Sequence, residues 1–138
     1  MLFRSLLDGK GGSDTLTGGT GADSFQFSTA LNATTNVDTI TDFLPGTDKI
    51  RLDGGVLADG VTPAVFGAFS PGVAVAADQL LKVTSGSAAL DANDFLIYNT
   101  VTGQLYYDRD GNGAAAPILF AVLQTHPDTL SASDFIVF

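Results

Sequence analysis

Apolar and polar residues alternate in short runs along most of this chain, and no segment sustains a long 3.6-residue apolar period. Residues 38–53, DTITDFLPGTDKIRLD, alternate on both sides of Pro45-Gly46 and predict two short strands around a turn. FLIYN at 95–99, then TVTG, then QLYYD predict a β-hairpin, with one of Tyr106 and Tyr107 in the core. PILFAVL and the terminal DTLSASDFIVF predict two further strands. Between these runs, residues 54–72 carry Gly54, Gly55, Gly60, Pro63, Gly67, Pro71 and Gly72, which predicts loops with at most short helical turns. Residues 73–84 read as a short helix or turn near 76–81 with strand on either side. The fold class expected is all-β, with at most short helices.

A second pattern lies over the first. Aspartate, any residue, then an apolar residue recurs at Asp14, Asp23, Asp38 and Asp48, and the first two stand nine residues apart. Gly9 and Gly18 match at that spacing, as do Gly12 and Gly21. LDANDF at 90–95 and LSASDF at 130–135 form another echo. Self-similarity at nine residues signals a parallel β-roll or β-helix.

Composition sharpens this. All fifteen acidic residues are aspartate, and there are sixteen glycines. Aspartate suits turns, caps and oxygen-rich ion sites, whereas glutamate suits helices. The net charge of −9 argues against nucleic acid and anionic membrane surfaces and invites cations. No apolar run approaches the roughly 18 residues of a membrane span, so no membrane insertion is expected. The opening MLFRSLL lacks a sustained apolar stretch and is not expected to be an amino-terminal signal peptide. The lack of cysteine excludes disulfides, zinc thiolates and thiol nucleophiles, and a single histidine excludes two-histidine zinc motifs.

The repeat itself carries the candidate chemistry. Residues 18–26, GGTGADSFQ, fit the calcium-binding nonapeptide G-G-x-G-x-D-x-U-x at every defined position, and residues 9–17, GKGGSDTLT, fit it with Lys10 at the second glycine. Glycines let the backbone turn tightly and aim carbonyls inward, and the aspartate adds a charged oxygen. Calcium takes six to eight such oxygens. The candidate ligands are Gly9, Gly11, Gly12 and Asp14 in the first repeat, and Gly18, Gly19, Thr20, Gly21 and Asp23 in the second. Two repeats make one coil of about eighteen residues, so ions would sit between repeats two apart. On that spacing the first repeat faces Asn32, and the second faces residues 36–42. The fuller site is therefore expected at residues 18–23 with Asp38 or Asp42, and the site around residues 9–14 is expected to be incomplete.

Residues 8–53 resemble the end of the RTX, or hemolysin-type, repeats of serralysin-type proteases and related type I secreted proteins. GGTGADSFQF leads through a polar linker into DTITDFLPGTDKIRL, as GGxGADxFxF leads into DxIxDFxxGxDKIxL there. FLIYNTVTGQLYYDRDGNG and the ending SDFIVF resemble the part that follows such repeats, and residues 54–94 do so only loosely. The resemblance implies a short parallel β-roll over residues 1–53 and a β-sandwich-like antiparallel cap over 54–138. It implies a bacterial, secreted and extracellular protein whose tail folds on calcium outside the cell. Its partners would be calcium ions and, through the carboxyl terminus, type I secretion machinery. It brings no catalytic residues, so no enzyme activity is expected, and a monomer is expected. The reading from another class is a stand-alone adhesion, glycan-binding or ice-binding module, for which the threonines at 15, 17, 39 and 41 are too few.

One more loop could hold a cation. Asp108, Asp110 and Asn112 alternate as oxygen donors, with a glycine at the sixth position, as at the start of an EF-hand loop. The twelfth position is Leu119 instead of glutamate, and a plain β-turn is the competing reading. His126 is expected to be an exposed loop residue, and Ser131 and Ser133 have no histidine at a readable spacing.

Overall fold

The computed structural model describes residues 3–55 and 65–138. Gly60 and Pro63, with the rest of residues 56–64, lie outside the described residues. The chain is mostly β. Its strands are β1 (Leu6–Asp8), β2 (Thr15–Leu16), β3 (Ser24–Phe27), β4 (Asp38–Ile40), β5 (Lys49–Leu52), β6 (Leu80–Val83), β7 (Leu96–Asn99), β8 (Gln104–Tyr107), β9 (Ile118–Leu123) and β10 (Phe135–Val137). Two single 3₁₀ turns, Ala77–Gln79 and Ala132–Asp134, are the only helical elements among the described residues. None is long or apolar enough to cross a membrane.

The strands form two sheets. One has the order β1-β3-β5-β10 and is parallel throughout. The other has the order β2-β4-β9-β8-β7-β6. Successive strands from β1 to β5 alternate between the sheets, so the chain winds back and forth across a shared interior. Every second residue of β3 and β5 points inward, which buries Phe25, Phe27, Ile50 and Leu52. These meet Ile40, Tyr98, Leu105, Phe120, Leu123, Phe135 and Val137 in one apolar cluster. Phe120 stands edge-on to both Phe27 and Phe66, with centroids 5.0 and 5.1 Å away.

The hairpin forms as the alternation predicts, with β7 antiparallel to β8. Asn99 closes it by accepting the Val101 and Thr102 N–H groups. Tyr107 is the core residue of its pair, and Tyr98 is fully buried. The antiparallel strands build no sheet of their own. β9 pairs antiparallel with β8 and parallel with β4, so the carboxyl-terminal strands lengthen the sheet begun by β2, and β10 lengthens the other.

Two local expectations are corrected. No strand directly precedes the 77–79 turn, and only β6 follows it. The two strands around Pro45-Gly46 form as expected and belong to different sheets. The coil length also changes along the chain. Leu6 aligns with Ser24, eighteen residues on, but Thr15 aligns with Thr39 and Ser24 with Lys49. The extra length is the polar connection 28–37, which folds on itself: Asn36 N–H donates to Asn32 O, and Asn32 Oδ1 accepts the Thr34 and Thr35 N–H groups.

Candidate metal centre

The winding stacks the interstrand turns along two edges. One edge carries residues 9–14 and 28–37; the other carries 17–23, 41–48 and 124–134. The repeat aspartates sit where each turn feeds its strand.

On the first edge, Asp14 and Asp38 come together. The Asp14 N–H donates to Asp38 Oδ1 at 3.0 Å, and Thr39 N–H donates to Asp14 O at 2.8 Å. Gly9 lies against both carboxylates: a Cβ there would stand 2.8 Å from Asp38 Oδ2 and 2.9 Å from Asp14 Oδ2. Asp14 Oδ2 is buried without a hydrogen-bond partner. Asp38 is buried too, and its carboxyl is raised above the ordinary range, chiefly by burial and further by the charges of Asp14 and Asp8, against the Asp14 N–H. Lys10 holds a positive φ of 63°, the conformation that glycine would supply at that repeat position.

On the second edge, Asp23 is 1% exposed. Its Oδ1 accepts the Ser5 N–H at 2.7 Å, while its Oδ2 is buried and unpartnered. A Cβ on Gly18 would stand 2.8 Å from that orphan oxygen. The Asp23 N–H donates to Asp48 Oδ1 at 3.0 Å, and Asp48 Oδ2 accepts Leu44 N–H. Asp42 spans the turn above with both oxygens, taking Gly18 N–H at 2.9 Å and Gly19 N–H at 2.7 Å. Asp134 repeats the device one level on, accepting Gly46 N–H at 2.7 Å. Gly21 lies so close to Phe3 O, at a φ of +138°, that a side chain has no room. Gly11, Gly12 and Thr20 complete the turns; Gly11 and Thr20 are exposed, and Gly12 has a φ of +118°.

These positions correct the expected pairings. Asp38 joins Asp14 and Gly9 instead of the second repeat. Asp42 does meet the second repeat, but as an acceptor of its N–H groups. Asn32 serves its own turn. Asp48, absent from the expected ligand set, is the residue that meets Asp23. The aspartate-x-apolar pattern does mark Asp48; the eighteen-residue spacing points away from it because the connection 28–37 lengthens the coil.

The 108–113 loop closes on itself. Asp108 is buried and accepts Asp110 N–H at 3.2 Å, and Asp110 Oδ2 accepts Ala115 N–H at 3.1 Å. Burial foremost, with the neighbouring Asp110, raises the Asp108 carboxyl, while the Ala115 N–H foremost lowers that of Asp110. Gly111 packs at positive φ against Ala92 O, and Asn112 is exposed. His126 is exposed, as expected.

Among the described residues no three carboxylate or imidazole side chains converge on one point. A cation at either edge would therefore take one or two carboxylates and complete its shell with backbone carbonyls and water, a donor set that suits a hard divalent ion. No protein-family model matches the chain, and a search of curated proteins finds no match.

Proposed function

We propose that this chain is a calcium-binding, RTX-like β-roll end that folds on export, with its carboxyl-terminal strands capping the roll and carrying a type I secretion signal. The observation that carries the reading is the pair of orphaned oxygens. Asp14 Oδ2 and Asp23 Oδ2 are buried without partners, and they belong to the two aspartates of the nonapeptide. An unsatisfied buried acceptor costs about 1–3 kcal/mol, and more when charged. A divalent cation at each would remove that cost. Gly9 and Gly18 leave the space beside these oxygens that any side chain would fill. The alternation of strands from β1 to β5 is the topology a β-roll requires.

Calcium would neutralise the stacked carboxylates and draw the turns shut. With a Kd near ~10⁻⁴ M and ~1 mM calcium, each ion stabilises the folded state by about 1.4 kcal/mol. Strands β7 to β9 are held by buried apolar side chains instead of carboxylate-capped turns, so calcium would order the glycine-aspartate coils against this cap.

The ice-binding alternative loses ground on one observation. Thr15 aligns with Thr39, and the Thr17 and Thr41 hydroxyls lie 2.7 Å apart, but the next strand presents Val122 in that row. The threonine array is two rungs wide.

The test is a calcium titration of chelator-stripped protein by calorimetry and circular dichroism, with Asp23→Asn alongside. Asparagine keeps an acceptor for Ser5 N–H and removes the charge. Calcium is expected to raise the melting temperature of the wild type and much less that of Asp23→Asn. Absence of heat and of any shift up to ~10 mM calcium would sink the reading.

A further inference from the structure

The chain has six cationic side chains against fifteen acidic ones, yet Arg4, Lys49 and Arg51 gather on one face. That face is the outer surface of the β1-β3-β5-β10 sheet, where strand alternation places Leu6, Ser24 and Lys49 in one row and Asp8, Gln26, Arg51 and Ile136 in the next. A shallow cleft of about 400 Å³ runs between Arg4, Lys49, Arg51 and Ile136. Lys49 is already engaged, by Ser133 O at 3.0 Å and Asp134 at 3.6 Å. Asp8 is engaged by Gln26 and Ser28. The two guanidinium groups are not: among the described residues neither Arg4 nor Arg51 has an ion pair, and Arg51 Nε is buried without a hydrogen-bond partner. Arg51 is held in place by the Phe138 ring, 4.6 Å from its guanidinium carbon. Leu6 and Ile136 flank the arginines and are 57% and 42% exposed.

The geometry points to a docking site for an acidic peptide segment whose carboxylates alternate with aliphatic side chains. Guanidinium forks pair two-pronged with carboxylates. Leu6 and Ile136 offer apolar ledges beside those forks, which an amphipathic strand would cover. Nucleic acid and anionic membrane carry many more charges than these two arginines can answer, and the net charge of −9 opposes such extended polyanions more than a short peptide with a few carboxylates. A short peptide meets the face alone. The proposal does not depend on calcium binding.

The probe is a fluorescently labelled peptide of alternating glutamate and leucine, followed by polarisation with calcium present throughout; a glutamine-leucine peptide and a uronate oligosaccharide are compared with it. The glutamate peptide is expected to bind, and to bind more weakly at about 500 mM than at about 50 mM salt. Arg4→Ser and Arg51→Gln are each expected to weaken it about five- to tenfold. Arg4 is exposed and has no ion pair among the described residues, so the melting temperature of Arg4→Ser should not change, which keeps the result readable if Arg51→Gln disturbs the Phe138 contact. Equal binding of the glutamine peptide, tighter binding of the uronate, or undiminished binding to Arg4→Ser would overturn the proposal.

Discussion

Strands β1 and β2 have no fully buried residue, whereas all four residues of β7 are buried. The glycine-aspartate coils and the hairpin region share one core but hold their backbones differently. In the coils, strands of two to four residues end in turns whose N–H groups point at aspartates: Ser5 at Asp23, Asp14 at Asp38, Asp23 at Asp48, Gly18 at Asp42. In the hairpin region the strands run four to six residues, and aromatic edges interlock over them. Carboxylate caps bring negative charges together, and on the proposed reading this would make the coils sensitive to cations. Apolar packing would leave the hairpin region much less so. A protein that must respond to a cation at one end while staying assembled at the other has use for both.

The largest effect should come from the residue that joins the two regions. Phe120→Ala removes a fully buried ring between Phe27 and Phe66 and is expected to cost about 3–5 kcal/mol. Denaturant unfolding with and without calcium should show the same loss. A loss that appears only without calcium would mean that the coils, and not the hairpin region, set global stability.

Next comes alkaline pH, which should act on the hairpin region through its tyrosines, all three of which lie there. Tyr98 is fully buried, its hydroxyl has no partner, and its ionisation is pushed up to about 12 by burial foremost and by Asp128. Its folded value is raised, so its contribution is complete below the ordinary value near 10 and is lost as pH climbs toward 12. At about 1.4 kcal/mol per pH unit, this amounts to roughly 2–3 kcal/mol. Tyr98→Phe should flatten that limb and cost little at neutral pH, since it deletes an unsatisfied group. An unchanged alkaline limb in this variant would show that Tyr98 does not carry it and that its hydroxyl is solvated in the folded protein.

These contrasts also explain what the sequence discloses. Strands β3 to β5, β8 and β10 are legible because local alternation encodes which face is buried, and β7 and β9 because short apolar runs stand between turn signals. β1 is not, because Leu6 and Leu7 stand in a short flank where only pairing with Ser24 and Phe25 defines a strand. The glycine-aspartate turns are legible as chemistry, since left-handed positions such as Gly19 and Gly21 leave few alternatives. Their pairing is not, because it depends on how many residues the 28–37 connection absorbs. Nor is the insertion of β9 beside β4, a contact between segments about eighty residues apart that no local pattern records.

An intermediate effect is expected from Asp48→Ala. It frees the Asp23 and Leu44 N–H groups at once, and about 1–3 kcal/mol should be lost. Hydrogen exchange should speed up at residues 23–27 while β7 and β8 stay protected. Uniform acceleration across both regions would deny that the coils open separately.

The smallest effect is the most discriminating, because its sign should depend on calcium. Asp38 is buried beside Asp14 with its carboxyl raised, so in metal-free protein the charged form is disfavoured by folding. A raised folded value means that this group's contribution is fullest below the ordinary aspartate range and is lost as pH rises through the shifted value. At pH 7 without metal, Asp38→Asn therefore removes a burden and keeps an acceptor for Asp14 N–H, so the variant should be as stable as the wild type or slightly more so. With ~1 mM calcium the order should reverse, the variant falling behind by up to about 1.4 kcal/mol, the share of one ion. Melting curves of the two proteins, with chelator and with calcium, would then cross. Parallel curves under both conditions would place no cation between Asp14 and Asp38 and leave, of the two edges, only the second, at Asp23.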